Sequence, residues 1–300
     1  MHDGQVKIDL DAATSFLATH GRLLDRRRLQ LLLEEGDGEG VLAALEAYRN
    51  SDGGYGWGLE PDLRSNLSQP VAAMHALEVL VEVAPVTTSP RAIELCDWLR
   101  QHALADGGLP FALPVPDPSG CAPFWAQADP GTSSLQMTAQ VAANAHLLGR
   151  HQPEVAAHAW LSPATEYCLD AIRRIDGEPH AYELLFALRF LDAIADHVPQ
   201  AQVLLERLGR WLPSSGSVPI QGGAEDETLH PLSFTPHPGR PVRALFSDDV
   251  IATDLERLAA QQQPDGGWLV DFTPYSPAAV LEWRGYATVH AVQVLRSNAS

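Results

Sequence analysis

The chain has 300 residues, 45% of them apolar, with 38 acidic against 20 basic side chains and a formal net charge of −18. That balance excludes a basic groove for nucleic acid and a general attraction to anionic membrane surfaces, and no run of about 18 apolar residues is present to span a bilayer. The three cysteines (Cys96, Cys121, Cys168) form no C-x-x-C pair and the polar start Met1-His2-Asp3-Gly4 has no signal-peptide pattern, so a reduced, cytoplasmic setting is expected.

Along the chain, helical segments alternate with glycine-rich turns. Residues 43–50 read as helix and run into Asp52-Gly53-Gly54-Tyr55. The loop that follows, Gly56-Trp57-Gly58-Leu59-Glu60-Pro61-Asp62-Leu63-Arg64, continues to Ser68-Gln69-Pro70 and is the most unusual segment. Two carboxylates and an arginine next to Trp57 suit either a catalytic rim or a structural ion pair that caps the next helix. Residues 69–80 then read as an inner helix, apolar nearly all round, and residues 91–100 as an outer one with a charged face.

Residues 92–105 lead into the second turn, Asp106-Gly107-Gly108-Leu109. The proline-rich stretch 113–131 holds Cys121, Phe124 and Trp125, and forms either an aromatic lid or a pinned surface loop. Cys121 has no His or Asn partner nearby in sequence. Residues 132–148 form a second inner helix whose polar stripe (Ser133, Gln136, Gln140, Asn144) either lines a wet cavity or bonds to a neighbour. A third inner helix covers 180–195 and starts at His180, Tyr182 and Glu183, weaker candidates for the same rim.

Residues 201–211 read as outer helix. The stretch 213–247, with Gly222, Gly223, Glu225, Asp226, Glu227, Arg240 and Arg243, reads as a long functional or mobile loop. The third turn, Asp265-Gly266-Gly267-Trp268, follows the helix at 254–263. After it come Asp271 and Phe272, and then Glu282-Trp283-Arg284-Gly285-Tyr286, read as the start of the last inner helix. Arg284 there serves either as an anion site at a helix N-terminus or as a salt bridge closing a ring.

The three Asp-Gly-Gly turns lie 54 and 159 residues apart, one and three times a period of about 53. His75 and His290 occupy equivalent positions in two repeats, which reads as a packing or hydrogen-bonding feature. Expected copies near 159 and 212 lack the motif, and their helices are read as ending at Trp160-Leu161-Ser162-Pro163 and Trp211-Leu212-Pro213-Ser214. Six two-helix units result. The expected fold is all-α, a single (α/α)6 barrel domain spanning 1–300, with an open solenoid as the alternative.

Gln262-Gln263-Pro264-Asp265-Gly266-Gly267-Trp268 after an amphipathic helix resembles the repeat of squalene–hopene and oxidosqualene cyclases. It is also similar to the glycine-rich repeats of protein prenyltransferase β subunits. The resemblance implies the barrel, a hydrophobic isoprenoid-type substrate in its central cavity, and acid-initiated chemistry. The chain departs from both families. It has no Asp-x-Asp-Asp acid, Asp248-Asp249 and Asp9-Leu10-Asp11 being the nearest fragments, and its last helix offers His290 without the zinc-binding pattern.

On this reading Asp62 is the leading acid and Glu60 the second. Trp57, Arg64, Gln69, Trp125, Asp271, Trp283, Arg284 and Tyr286 contact substrate. No cofactor or metal is expected, Mg2+ entering only with a diphosphate substrate, and the oligomeric state stays open. Two further readings stand beside it: a sugar-active toroid with paired carboxylates, and a non-catalytic scaffold with a filled barrel.

Overall fold

A computed structural model describes residues 8–224 and 227–299; the polar start, Glu225 and Asp226 of the long loop, and Ser300 lie outside the described residues. The described chain is mostly helical, with one two-stranded sheet. In chain order the helices are α1 (Leu10–His20), α2 (Leu23–Leu32), α3 (Gly38–Leu45), α4 (Pro70–Val83), α5 (Arg91–His102), α6 (Pro123–Ala126), α7 (Leu135–Gly149) and α8 (Pro153–Ala156). Then follow α9 (Leu161–Arg173), α10 (Ala181–Ile194), α11 (Gln200–Gly209), the antiparallel strands β1 (Val218–Pro219) and β2 (Thr228–Leu229), α12 (Pro231–Phe234), α13 (Asp248–Ala260) and α14 (Pro277–Ser297). None of these helices is long and apolar enough to cross a membrane.

Capping chemistry fixes several helix starts. Ser134, Ser247 and Ser276 each accept a backbone N–H from the first turn of α7, α13 and α14, and proline at the first position preorganises α4 and α14. Asp9 caps α1 in the same way, and Asp248 and Asp249 fall in the first turn of α13, where negative charge suits the helix dipole. Both acid-like fragments of the sequence are therefore helix starts. The sequence boundaries shift at two places. Residues 160–163 begin α9 instead of ending a helix, and α14 begins at Pro277, so Arg284 sits in its interior.

The three Asp-Gly-Gly turns are one structure written three times. Oδ1 of Asp52, Asp106 and Asp265 accepts the N–H of Gly54, Gly108 and Gly267, and the intervening glycine takes φ of +92°, +87° and +92°. Only glycine reaches that region without strain. The second glycine lets the next inner helix approach, since a Cβ on Gly108 would lie 2.5 Å from that of Ser133. Each aspartate also grips that next unit, through Ser68, Ser133 or Arg284. Tyr55, Leu109 and Trp268 then turn inward and are fully buried.

α4, α7 and α10 pack side by side and are buried on most faces, as their all-round apolar pattern requires. α5, α9 and α11 lie outside them and keep charged faces in solvent. Contacts continue from α10 to α12, α13, α14 and α2, and return to α4. The apolar interior is divided. The main core runs through α3, α4, α5, α7 and α9–α11, whereas α1, α14 and Leu29 of α2 form a separate cluster around Trp268.

Candidate functional site

Between these inner helices lies a cavity of about 420 Å³. α2, α4, α7, α10, α13 and α14 supply its walls, completed by the β1–β2 hairpin, the segment from there to residue 242, and residues 268–272. Gln140 and Asn144 of the predicted polar stripe face it, while Ser133 instead binds Asp106.

The chemistry concentrates on α4, an apolar helix interrupted by His75, Glu78 and Glu82. Spacings of three and four residues align the three along one side of the helix. His75 is 6% exposed, with Nδ1 3.0 Å from Glu78 Oε2 and Nε2 2.9 Å from Glu60 Oε2. Burial alone would lower its pKa, but hydrogen bonds to Glu60 and Glu78 and their charges raise it to about 9. At neutral pH it is therefore an imidazolium donating to both carboxylates. Burial pushes Glu78 toward the neutral acid, yet His75, Arg28 and Arg189 hold its pKa below the ordinary value, so it is ionised.

Glu78 also accepts from the Tyr286 hydroxyl at 3.2 and 3.3 Å. Burial and the Glu78 charge push the Tyr286 pKa up, so the phenol keeps its proton and donates it. Arg28 makes a two-pronged pair with Glu82, at 2.8 and 2.7 Å, and its guanidinium lies 5.3 Å from the Tyr286 ring centre. Across the cavity Arg189 donates its Nε–H to the Ser233 carbonyl at 2.8 Å. His290 stacks on Tyr286, and burial and the Arg189 charge lower its pKa to about 4. His75 and His290, equivalent in the repeat, thus carry opposite protonation states because only His75 has carboxylate partners.

Three of the ten residues singled out in the sequence line the cavity: Asp271, Trp283 and Tyr286. Asp62 does not. Its Oδ1 accepts the Tyr275 N–H at 2.7 Å and its Oδ2 the Trp283 indole N–H at 2.8 Å, so both oxygens tie the loop to the start of the last unit. Glu60 lies behind His75, also accepts the Asp62 N–H, and is 4% exposed. Neither carboxyl group lines the cavity, which corrects the expected acid position.

The remaining five stand elsewhere. Trp57 is 55% exposed and donates to Asn50. Arg64 pairs with Glu282 at 2.7 Å, and Gln69 clamps both backbone groups of Leu113. Trp125 stacks on Phe111 at 4.5 Å and pins its loop. Arg284 is no anion site at a helix N-terminus: it lies inside α14, pairs with Asp265 at 2.7 Å and covers the Phe16 ring. Loop and last unit do meet, through Arg64–Glu282 and the Asp62 bonds, although the Arg284 salt bridge is to Asp265 and not to the loop.

Arg28, Glu78, Glu82 and Arg189 are the residues that sequence reasoning missed. A signal was present for three of them: Glu78, Glu82 and Arg189 are charges inside α4 and α10, helices otherwise given to burial, whereas Arg28 stands in the charged run 25–28 of α2. Cys121 is buried and its thiol pKa is pushed up by that burial, which opposes nucleophilic use. Among the described residues no group of three or more His, Cys, Asp and Glu is arranged to hold a metal ion. No protein-family model matches the chain, and no curated protein matches its sequence.

Proposed function

We propose that the chain is a closed toroid of six helical hairpins, similar in architecture to the cyclase and prenyltransferase barrels, and that its cavity takes a polar, sugar-sized substrate. The observation that carries this reading is the wall itself, which combines nine acidic or basic side chains with Tyr182, Phe186, Phe272, Trp283 and Tyr286. An isoprenoid hydrocarbon would remove those charges from water without replacing their hydrogen bonds. A carbohydrate offers hydroxyls to the charged groups and its C–H faces to the rings. The volume falls within the usual range of small-molecule pockets, about 300–1,000 Å³.

Glu78 is the group assigned to the reacting carbon. Ionised and held by His75 and Tyr286, it stabilises the positive charge that develops when a glycosidic bond breaks, and a water molecule completes the hydrolysis by giving its hydroxyl to that carbon and its proton to the leaving oxygen. His75 is a positioning residue, because it reaches substrate only through Glu78. Glu78→Gln keeps the shape of the side chain and removes its charge. Glycosidase activity on a panel of aryl glycosides is expected to fall at least a hundredfold in this variant while galactose binding persists. Turnover of isoprenoid substrates with no binding of any sugar would overturn the reading.

A second reading, the isoprenoid substrate, is favoured by the row Phe272, Trp283 and Tyr286, whose neighbouring ring centres lie 5.1 and 5.6 Å apart. Such faces stabilise carbocations. It requires a proton donor in the cavity, and the same panel extended with polyprenyl substrates decides between the two.

A further inference from the structure

We propose that Arg189, with His290 beside it, forms an anion subsite in the cavity wall, so that the substrate is an acidic sugar carrying a carboxylate or phosphate. The inference rests on the sugar reading above and deepens it. Four arginines line the cavity: Arg28, Arg189, Arg240 and Arg257. Three are matched, Arg28 by Glu82, Arg240 by Asp192 and Arg257 by Asp254. Arg189 alone of the four has no ion-pair partner among the described residues. Its Nε–H is used on Ser233, which fixes the guanidinium and leaves its two terminal nitrogens for the cavity.

The acids that could neutralise it are already engaged. Asp192, one turn further along α10, accepts from Arg240 and from the Val242 N–H. Glu78 holds His75 and Tyr286, and Glu227 accepts from the Tyr182 hydroxyl and the Ala224 N–H. His290 also lines the cavity and has no hydrogen-bond partner among the described residues. Its imidazole, faced by Arg189, Glu78, Arg28 and His237, is neutral and can donate one hydrogen bond to a bound oxyanion. An enclosed guanidinium without a counter-ion is costly, and a ligand anion removes that cost by making the paired hydrogen bonds for which its fork is shaped. With a net charge of −18 the protein offers an anion no general attraction, so selection must come from this local pair.

The test is calorimetric titration of the full chain with galacturonate, galactose, galactose 6-phosphate and benzoate, for wild type and Arg189→Met. A charged hydrogen-bond pair of this kind predicts galacturonate or the 6-phosphate binding about tenfold to a hundredfold tighter than galactose. Arg189→Met should erase that preference, the acidic sugars then binding this variant no tighter than galactose does. Its melting temperature should stay close to that of wild type, because relief of a half-buried unpaired charge offsets the lost bond to the Ser233 carbonyl. The stronger of the two acidic sugars identifies the anion. Equal binding of galactose and both acidic sugars to wild type, or a preference that survives in Arg189→Met, would overturn the subsite and leave the sugar reading standing. Arg189-dependent binding of benzoate without any sugar would support the subsite and overturn the sugar reading.

Discussion

His75 sits between two carboxylates, and the sign of its contribution to stability follows from that. Its pKa is about 9 in the folded protein and about 6.5 in an unfolded chain. Between those values the folded state holds more protons, so stability is fully present below pH 6.5 and is lost as pH rises through 9. The shift corresponds to roughly 3 kcal/mol. Glu78, held below its ordinary value, acts oppositely: its contribution is present above the ordinary carboxylate range and is lost as pH falls. Melting temperature should therefore fall between pH 6.5 and 9.5 in wild type, and His75→Gln should flatten that slope while lowering stability most at pH 6. A slope unchanged in His75→Gln would remove the imidazolium from the account. His290, with no carboxylate partner and a pKa near 4, supplies no comparable slope in this window.

The repeated turn shows at the level of elements what local chemistry can determine. Gly107 adopts φ +87°, and an added Cβ would also press on the Pro163 carbonyl. Gly107→Ala should cost about 1–2 kcal/mol from the left-handed backbone alone, and a larger loss in chemical denaturation would measure the clash. A Gly107→Ala variant as stable as wild type would show that the turn relaxes freely. The same chemistry explains what the sequence disclosed. Asp-Gly-Gly was legible because the aspartate bonds two residues on and the glycine needs no distant partner, and α4, α7 and α10 were legible because burial on all sides leaves few polar positions. The single turn of α12 was not legible, nor was the start of α14, although Ser276-Pro277 carries the cap and proline that mark it. The cavity charges escaped for a different reason. Glu78 and Arg189 matter through what faces them across the lumen, and one helix's periodicity cannot say which of its residues look inward. Asp62 drew attention as an acid in a loop, but its two acceptors are matched to donors more than 200 residues away.

At the scale of the molecule those long-range bonds lie where the two apolar clusters fail to merge. The cluster of α1 and α14 is separate from the main core, and the seam between them is crossed by polar contacts: Arg28–Glu82, Tyr286–Glu78, Arg64–Glu282 and the pair of bonds at Asp62. Arg28, Glu78, Glu82 and Tyr286 of that seam also line the cavity, so the groups of the proposed site and the groups that hold α14 in place are neighbours on one helix. That arrangement makes Asp62→Asn decisive. The amide keeps one acceptor and turns its NH2 toward the Tyr275 or Trp283 N–H, leaving one buried donor unmatched at a cost of about 1–3 kcal/mol. The expected result is a lower melting temperature with galactose affinity and any turnover retained below it, since Asp62 lies outside the cavity wall and touches it only through the Trp283 indole N–H. A catalytic acid would give the reverse, a stable protein that no longer turns over, and that outcome would return the chemistry to the loop.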